Sequence, residues 1–264
     1  MSAFMFLTMI AKAVTTAVVV LCAAKTAEVF GPRWGAIVAS LPVSAGPAYV
    51  FLAMEHPAEF VASSALTSAV GNAATGLFLL CYGTLARRTS IGFSLAASIA
   101  VWLGVAIPAQ FVPWTLGTVA ALNIVAYGSA IAIARILQPV EVAVKTSIPG
   151  AWFDLPIRAA LIAVFVCLVV AGSKIAGPTA TGIAAVFPLS LTSLLLLMRA
   201  RIGAPATAAI ATNALMPMLG FGAMLILLHL AIPRLGVPSA LGISLLFSLL
   251  WSTGLVVFAG RRRV

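Results

Sequence analysis

Charge is what this chain has least of. Five acidic and fifteen basic residues make up 8% of its 264 positions, where a soluble domain carries about a quarter. Too few polar side chains exist to cover a globule in water. With 63% hydrophobic residues and a mean hydropathy of +1.20, the chain reads as one integral membrane domain with no soluble portion. Metal and redox chemistry have little to work with. Cys22, Cys81 and Cys167 lie inside apolar stretches at no metal-ligand spacing and act as small hydrophobes. His56 and His229 have no spaced partner. No phosphate-binding or dinucleotide-binding glycine motif, Ser/His/Asp set or pair of catalytic carboxylates is present. The reading is therefore not an enzyme and without a cofactor. Apart from Asp154 near one end, no carboxylate lies inside an apolar span, which weakens a proton-coupled cation antiporter. No basic residue precedes the first apolar run, as a signal peptide requires. Leu21-Cys22 is a poor match to a lipoprotein cleavage site for the same reason.

What is present is a series of apolar stretches near the ~20 residues that a helix needs to cross a bilayer. They do not alternate at period two, which excludes a membrane β-barrel. Nine spans are drawn: 3–24, 35–54, 60–85, 91–108, 115–136, 152–173, 179–198, 204–231 and 237–259. The segment 137–151, with Pro139, Glu141, Lys145 and Pro149-Gly150, divides the chain into halves. Alternate loops then carry Lys25, Arg33, Arg87, Arg88, Arg135, Lys145, Arg199, Arg201, Arg261, Arg262 and Arg263 on one side, against Lys174 and Arg234 on the other. That bias makes the first side cytoplasmic, with the N-terminus outside and the C-terminus inside. The net charge of +10 is a topology signal with attraction to anionic headgroups, and its scatter among loops argues against nucleic acid. The partners implied are the lipid bilayer and a small-molecule solute. Self-association into a homo-oligomer is left open.

The same marks recur in one order, 146 residues apart. Gly31-Pro32, Ile37, Ala39, Pro42 and Ser44 match Gly177-Pro178, Ile183, Ala185, Pro188 and Ser190. Lys12 matches Arg158, and Ala65, Gly76 and Leu79 match Ala211, Gly222 and Leu225. After four extra residues, Gly92, Ser94, Ser98 and Gly104 match Gly242, Ser244, Ser248 and Gly254. Each copy has four spans and the fifth is unmatched, so parity turns the second copy over. The expected fold is an all-α polytopic membrane protein of nine helices, arranged 4+1+4 as inverted-topology repeats: repeat 1 over 1–112, a linking helix and loop over 113–150, and repeat 2 over 151–264.

The stretch from Gly35 to Ser44, after a Lys-bearing apolar helix, resembles the GlpM-like small four-helix membrane proteins, and Gly182 to Thr192 is similar. The resemblance implies a tandem fusion of two such units. It implies no settled chemistry and no catalytic residues.

Paired helix interruptions at equivalent places point to a transport site. Pro42 and Pro47 interrupt the second span and Pro188 the seventh, with Ser44 and Ser190 two residues beyond. A proline removes a backbone bond, and the freed groups need protein or water. The plainer reading is a pair of ordinary kinks with hydroxyls bonded to their own backbone. Lys12 and Arg158 lie inside apolar runs, where a charge costs at least ~2.5 kcal/mol. Two cations with no obvious buried carboxylate suit an anionic solute or lipid phosphate, although snorkelling and a local Asp154–Arg158 pair are the competing accounts. Asn72, Asn123 and Asn213 suit interhelical hydrogen bonding. Asn213, near Thr212 and Pro217, is a candidate cavity residue. Gly31-x-x-x-Gly35 suits close helix packing, and the tryptophans suit interfacial anchors. Glu55 to Glu59 reads as a solvated loop. The leading expectation is a secondary transporter or permease of the cytoplasmic (inner) membrane for a small anionic or amphipathic solute. Its site is formed by Lys12, Pro42, Ser44, Arg158, Pro188, Ser190 and Asn213. The alternatives are a non-transporting membrane scaffold or assembly protein in envelope or cofactor biogenesis and, third, a lipid-directed membrane enzyme.

Overall fold

The computed structural model describes residues 3–29, 45–137 and 154–261. Among them are nine helices and no strand: α1 Ala3–Val29, α2 Ala45–Glu55, α3 Ala58–Leu85, α4 Ile91–Ala109, α5 Leu116–Leu137, α6 Asp154–Ala185, α7 Leu189–Asn213, α8 Leu215–Leu235 and α9 Val237–Arg261. The described residues form an all-helical, membrane-like structure. Among them, five helical stretches are long and apolar enough to cross a membrane: Ala58–Leu85, Ile91–Ala109, Leu116–Leu137, the broken run Asp154–Leu235 and Val237–Phe258.

Two of the spans drawn from sequence, 179–198 and 204–231, are not single helices. Of 35–54, only Ala45 onward is described, as the 11-residue α2. The run 179–198 is cut at 186–188, between the end of α6 and the start of α7. Glycine and proline together explain the breaks. Gly177, Gly203 and Gly236 have φ of 72°, 79° and 74°, in the left-handed region that side chains resist. Each is followed within two residues by a proline (Pro178, Pro205, Pro238), which lacks an N–H and suits the first turn of the next helix. Gly177 divides α6 into a long arm and a short arm, 178–185. Pro217 has no N–H for the carbonyl of Asn213, and the chain turns at Ala214 between α7 and α8.

The centre of the molecule is α3. It packs against α4, α5, α6, α7 and α8. Small residues fill its circumference: Ala65, Ser68, Ala69, Ala73 and Ala74 are each 1% exposed or less. Small side chains let helix backbones approach closely, which is how helices associate where lipid removes the hydrophobic drive. By contrast α4, α5 and α9 keep broad apolar faces uncovered, including Phe93, Ile124, Leu246 and Leu250. Ala62 of α3 meets His229 of α8, and ten residues further along α3 Asn72 meets Met218. The two helices therefore run in opposite directions. A second layer, α1 with α2 and the long arm of α6, has its own core of Val20, Leu52, Ile162, Val166 and Val170.

Candidate functional site

The break at 186–188 is held by a polar face of α3. Ser64, Thr67, Ser68 and Gly71 recur at the spacing of one helix side. Ser64 Oγ donates to the Pro178 carbonyl at 3.1 Å and Ser68 Oγ to the Gly182 carbonyl at 2.5 Å, while Thr67 Oγ1 stands 3.4 Å from the Pro178 carbonyl and nearer, at 3.2 Å, to the Ser63 and Ser64 carbonyls of its own helix. A carbonyl only accepts, so the Ser68 proton is committed and Tyr49 Oη donates to Ser68 Oγ, at 2.6 Å. The approach is close enough to require glycine at position 182. A Cβ there would stand 2.2 Å from the Ser64 carbonyl oxygen and from Thr67 Oγ1. Val186 packs over Gly71, and Phe187 lies edge-on to Trp102 at 5.1 Å between centroids. Trp102 is itself fixed by a 3.2 Å bond to Thr75 Oγ1.

Pro188 caps the start of α7 and does not lie within a helix, as the sequence reading had it. Its carbonyl accepts from both the backbone and the hydroxyl of Thr192, at 2.8 and 2.7 Å. Ser190, in the first turn of α7, is half-buried, and its hydroxyl bonds to no described residue. Pro42 and Ser44, the expected counterparts, lie outside the described residues, as do Gly31, Gly35, Trp34 and Trp152.

Beside the break is a second polar knot joining α3, α5 and α8. Asn72 Nδ2 donates to the Met218 carbonyl at 3.0 Å and to Asn123 Oδ1 at 3.3 Å. Asn123 Nδ2 donates to the carbonyls of Ala69 and Val119. Tyr127 Oη donates to the Asn72 carbonyl at 2.8 Å, and its ring covers Gly76. Gly222 must be small here too, since a Cβ would stand 2.6 Å from Asn72 Nδ2. Asn72 and Asn123 thus bridge helices as expected. Asn213 does not join them. It is exposed and bonds to no described residue.

The cations are rearranged relative to expectation. Lys12 is paired with Glu55 at the end of α2, and Lys174 Nζ stands 3.5 Å from the other Glu55 oxygen. The carboxylate missing from the sequence argument comes from the segment read as a solvated loop. Its neighbour His56 is also engaged. Its Nε2 donates to Ser173 Oγ at 2.6 Å, because the Ser173 proton goes to the Val170 carbonyl. The ring stacks on Phe60 at 3.8 Å. Burial, then the nearby Lys174 charge, hold the His56 imidazole below the usual histidine range. In the second half of the chain Asp154 pairs with Arg201, not with Arg158. Arg201 occupies the position that matches Glu55. Arg158 is left with a buried Nε that has no hydrogen-bond partner among the described residues. Arg199 caps α3, donating to the carbonyls of Ala86 and Thr89.

Sequence reasoning missed Ser64, Thr67 and Ser68. The available signal was a serine/threonine row at helical spacing, ending in Gly71, inside an apolar span. No group of three or more His, Cys, Asp or Glu side chains placed to hold a metal ion occurs among the described residues. Comparison with protein-family models, with curated proteins and with solved structures found no match to this chain.

Proposed function

We propose that this chain is a secondary transporter of the cytoplasmic (inner) membrane, built from two GlpM-like four-helix units of opposite orientation, and that it carries a small anionic or amphipathic solute. The observation that carries the reading is the interrupted segment 178–185 / 186–188 / α7. Non-helical backbone at membrane depth is tolerated where protein or a water-filled cavity satisfies it, and discontinuous helices at a repeat interface form the sites of many carriers. Hydroxyls of α3 satisfy the short arm here.

Two features support the inverted arrangement. The bond from Asn72 to Met218 joins a residue to its own counterpart at the 146-residue offset, as contacts near a pseudo-twofold axis do. The matched helices α3 and α8 run antiparallel through that point. Rocking of one unit against the other about this axis would expose the break alternately to each side. Because Glu55 neutralises Lys12 and Asp154 neutralises Arg201, the remaining candidate for an anionic group is Arg158, and the balance moves toward an amphipathic solute.

The test begins with a thermal-shift screen of the purified protein against metabolite anions and neutral amphipaths, followed by uptake of each hit into proteoliposomes. Uptake above empty vesicles that is lost in Ser68→Ala or Arg158→Gln supports the proposal. A screen without hits, together with a stable co-purifying membrane complex, supports a scaffold instead. Reporter fusions at Pro57, Gln110 and Lys145 test the orientation: the first two report outside and the third inside.

A further inference from the structure

The run from Ser173 to Arg199 lies alongside α3 from one end of that helix to the other. His56, in the turn before α3, bonds to Ser173. Ser64 and Ser68 hold the carbonyls of Pro178 and Gly182, and Val186 packs over Gly71. Arg199 donates to the carbonyls of Ala86 and Thr89, past the last turn of α3. The partners advance in step, so the two runs are parallel. Residues 56–89 belong to the first half of the chain and 173–199 to the second, so every one of these contacts joins the halves.

The contacts differ along the line. The middle is tight: a Cβ at Gly71 would stand 2.6 Å from Val186 Cγ2, and one at Gly182 would meet backbone. The ends are polar and held by side chains. At one end His56 meets Ser173 at 2.6 Å and Glu55 meets the exposed Lys174 at 3.5 Å, and an ion pair in contact with solvent is weak. At the other end the Arg199 guanidinium rests on two carbonyls. Each end is also hinged. Gly177, with φ 72°, separates the long arm of α6 from the docked short arm. Residues 189–202 lie between the break at 186–188 and Gly203, with φ 79°. Leu195 is the one buried residue among them, so little packing resists their movement. A few residues at element ends that absorb a backbone rotation are what a hinge requires.

We infer that these two ends are gates on opposite faces of the membrane: Ser173 and Lys174 against His56 and Glu55 close one, and Arg199 against the end of α3 closes the other. The inference rests on the transporter reading, and it names the contacts that break to expose 186–188 to each side. The short arm stays docked on Ser64 and Ser68 throughout. The gates are linked, because Asp154 at the start of the long arm pairs with Arg201 in the hinged part of α7. The long arm packs midway, at Ile162 and Val166, against α1 and α2. Tilting it away from His56 at one end presses Asp154, and with it Arg201, inward at the other. At 1.5 Å per residue, His56 and Ala86 stand roughly 20–25 Å to either side of Asn72, so the arms of this lever are of similar length.

The experiment labels Ser190→Cys, just beyond the break, with a membrane-impermeant maleimide in spheroplasts and in inside-out vesicles. The adduct at position 190 is read by mass spectrometry, so Cys22, Cys81 and Cys167 stay in place. Ser190→Cys alone should react slowly from both faces. Adding Ser173→Ala with Lys174→Ala, which spares the Lys12–Glu55 pair, should speed labelling about tenfold or more from one face. Adding Arg199→Ala should do the same from the opposite face. Arg199→Lys keeps a donor and most of the stem, and should accelerate labelling less, on the same face as Arg199→Ala; it carries the test where Arg199→Ala does not fold. Acceleration of both sets from one face, of either set from both faces, or of neither would overturn the inference. Opposite-face labelling with no solute taken up would fault the transporter reading alone, and uptake without that pattern would fault the gates alone.

Discussion

Residues 58–85 form one uninterrupted helix through the centre of the molecule, whereas residues 204–231, which match them at an offset of 146, are divided at Ala214, three residues before Pro217, which stands in the place of Gly71. The same exchange recurs around them. The turn before α3 is made by the extended Pro57, and the matching turn inside α7 by Gly203 at φ 79°. The first half of the chain ties the end of α2 to α1 through Glu55 and Lys12; the second half ties the residue 146 positions on, in α7, to the start of α6 through Arg201 and Asp154. Phe78 and Tyr82 fill a space that Met224 and Leu228 leave open. The lesson is that the two halves keep a turn at 57 and 203 and an ion-paired residue at 55 and 201 while changing the chemistry that makes them. Opposite charge signs can serve the same strap, because an ion pair requires two partners and not a given order of them.

The strongest way to break this comparison is at the α3 docking face. Gly182→Val would drive a side chain into the Ser64 carbonyl and Thr67. Backbone cannot yield as a side chain can, so the loss should reach about 3 kcal/mol or more, at the upper end of overpacking costs. Gly254→Ala, where an added Cβ meets nothing within 4 Å, should leave the melting temperature within a degree or two. Equal tolerance of the two would show that the short arm is not docked as described.

Next in size is the central knot. Asn72→Leu should cost about 1–3 kcal/mol, because it strands Asn123 Oδ1 and the Met218 carbonyl. Chemical denaturation in mixed micelles reads this loss.

The straps come third. Lys12→Ala leaves Glu55 with only the more distant Lys174, and should cost more than Lys12→Ala combined with Glu55→Ala. The same double-mutant cycle on Asp154 and Arg201 should give a coupling of the same sign, about 0.5–2 kcal/mol. A coupling present in one half and absent in the other would end the parallel between the straps.

The smallest effect is a pH dependence confined to the first half of the chain. The folded state holds His56 below its ordinary value, so the unfolded chain binds a proton more readily in the window beneath it. Stability should be complete above about pH 6.5 and fall as pH drops from there toward the folded value. His56→Gln should flatten that slope in thermal melts between pH 8 and pH 5.

Legibility from sequence varied with the range of the interaction. Helix positions in α3, α4, α5 and α9 follow from apolar runs of bilayer length, and their ends fall within a few residues of those drawn. Asn72 and Asn123 were readable as bridging residues because an amide in an apolar span must find a partner. Pro188 was readable as an interruption, but its place between two helices was not, because proline is tolerated both inside and at the start of a helix. The partner of Lys12 was hidden because Glu55 is 43 residues away and looks like part of an ordinary polar turn. The Ser64–Ser68 row was hidden because hydroxyls that bond across helices look the same in sequence as hydroxyls that bond to their own backbone.

Composition and periodicity by themselves determined that this chain is helical and apolar at bilayer length, because those constraints act within a few residues. Which carboxylate meets Lys12 and which hydroxyls receive the short arm of α6 were decided only by the tertiary structure. Each of those depends on which helix faces cross, and packing of distant segments sets that.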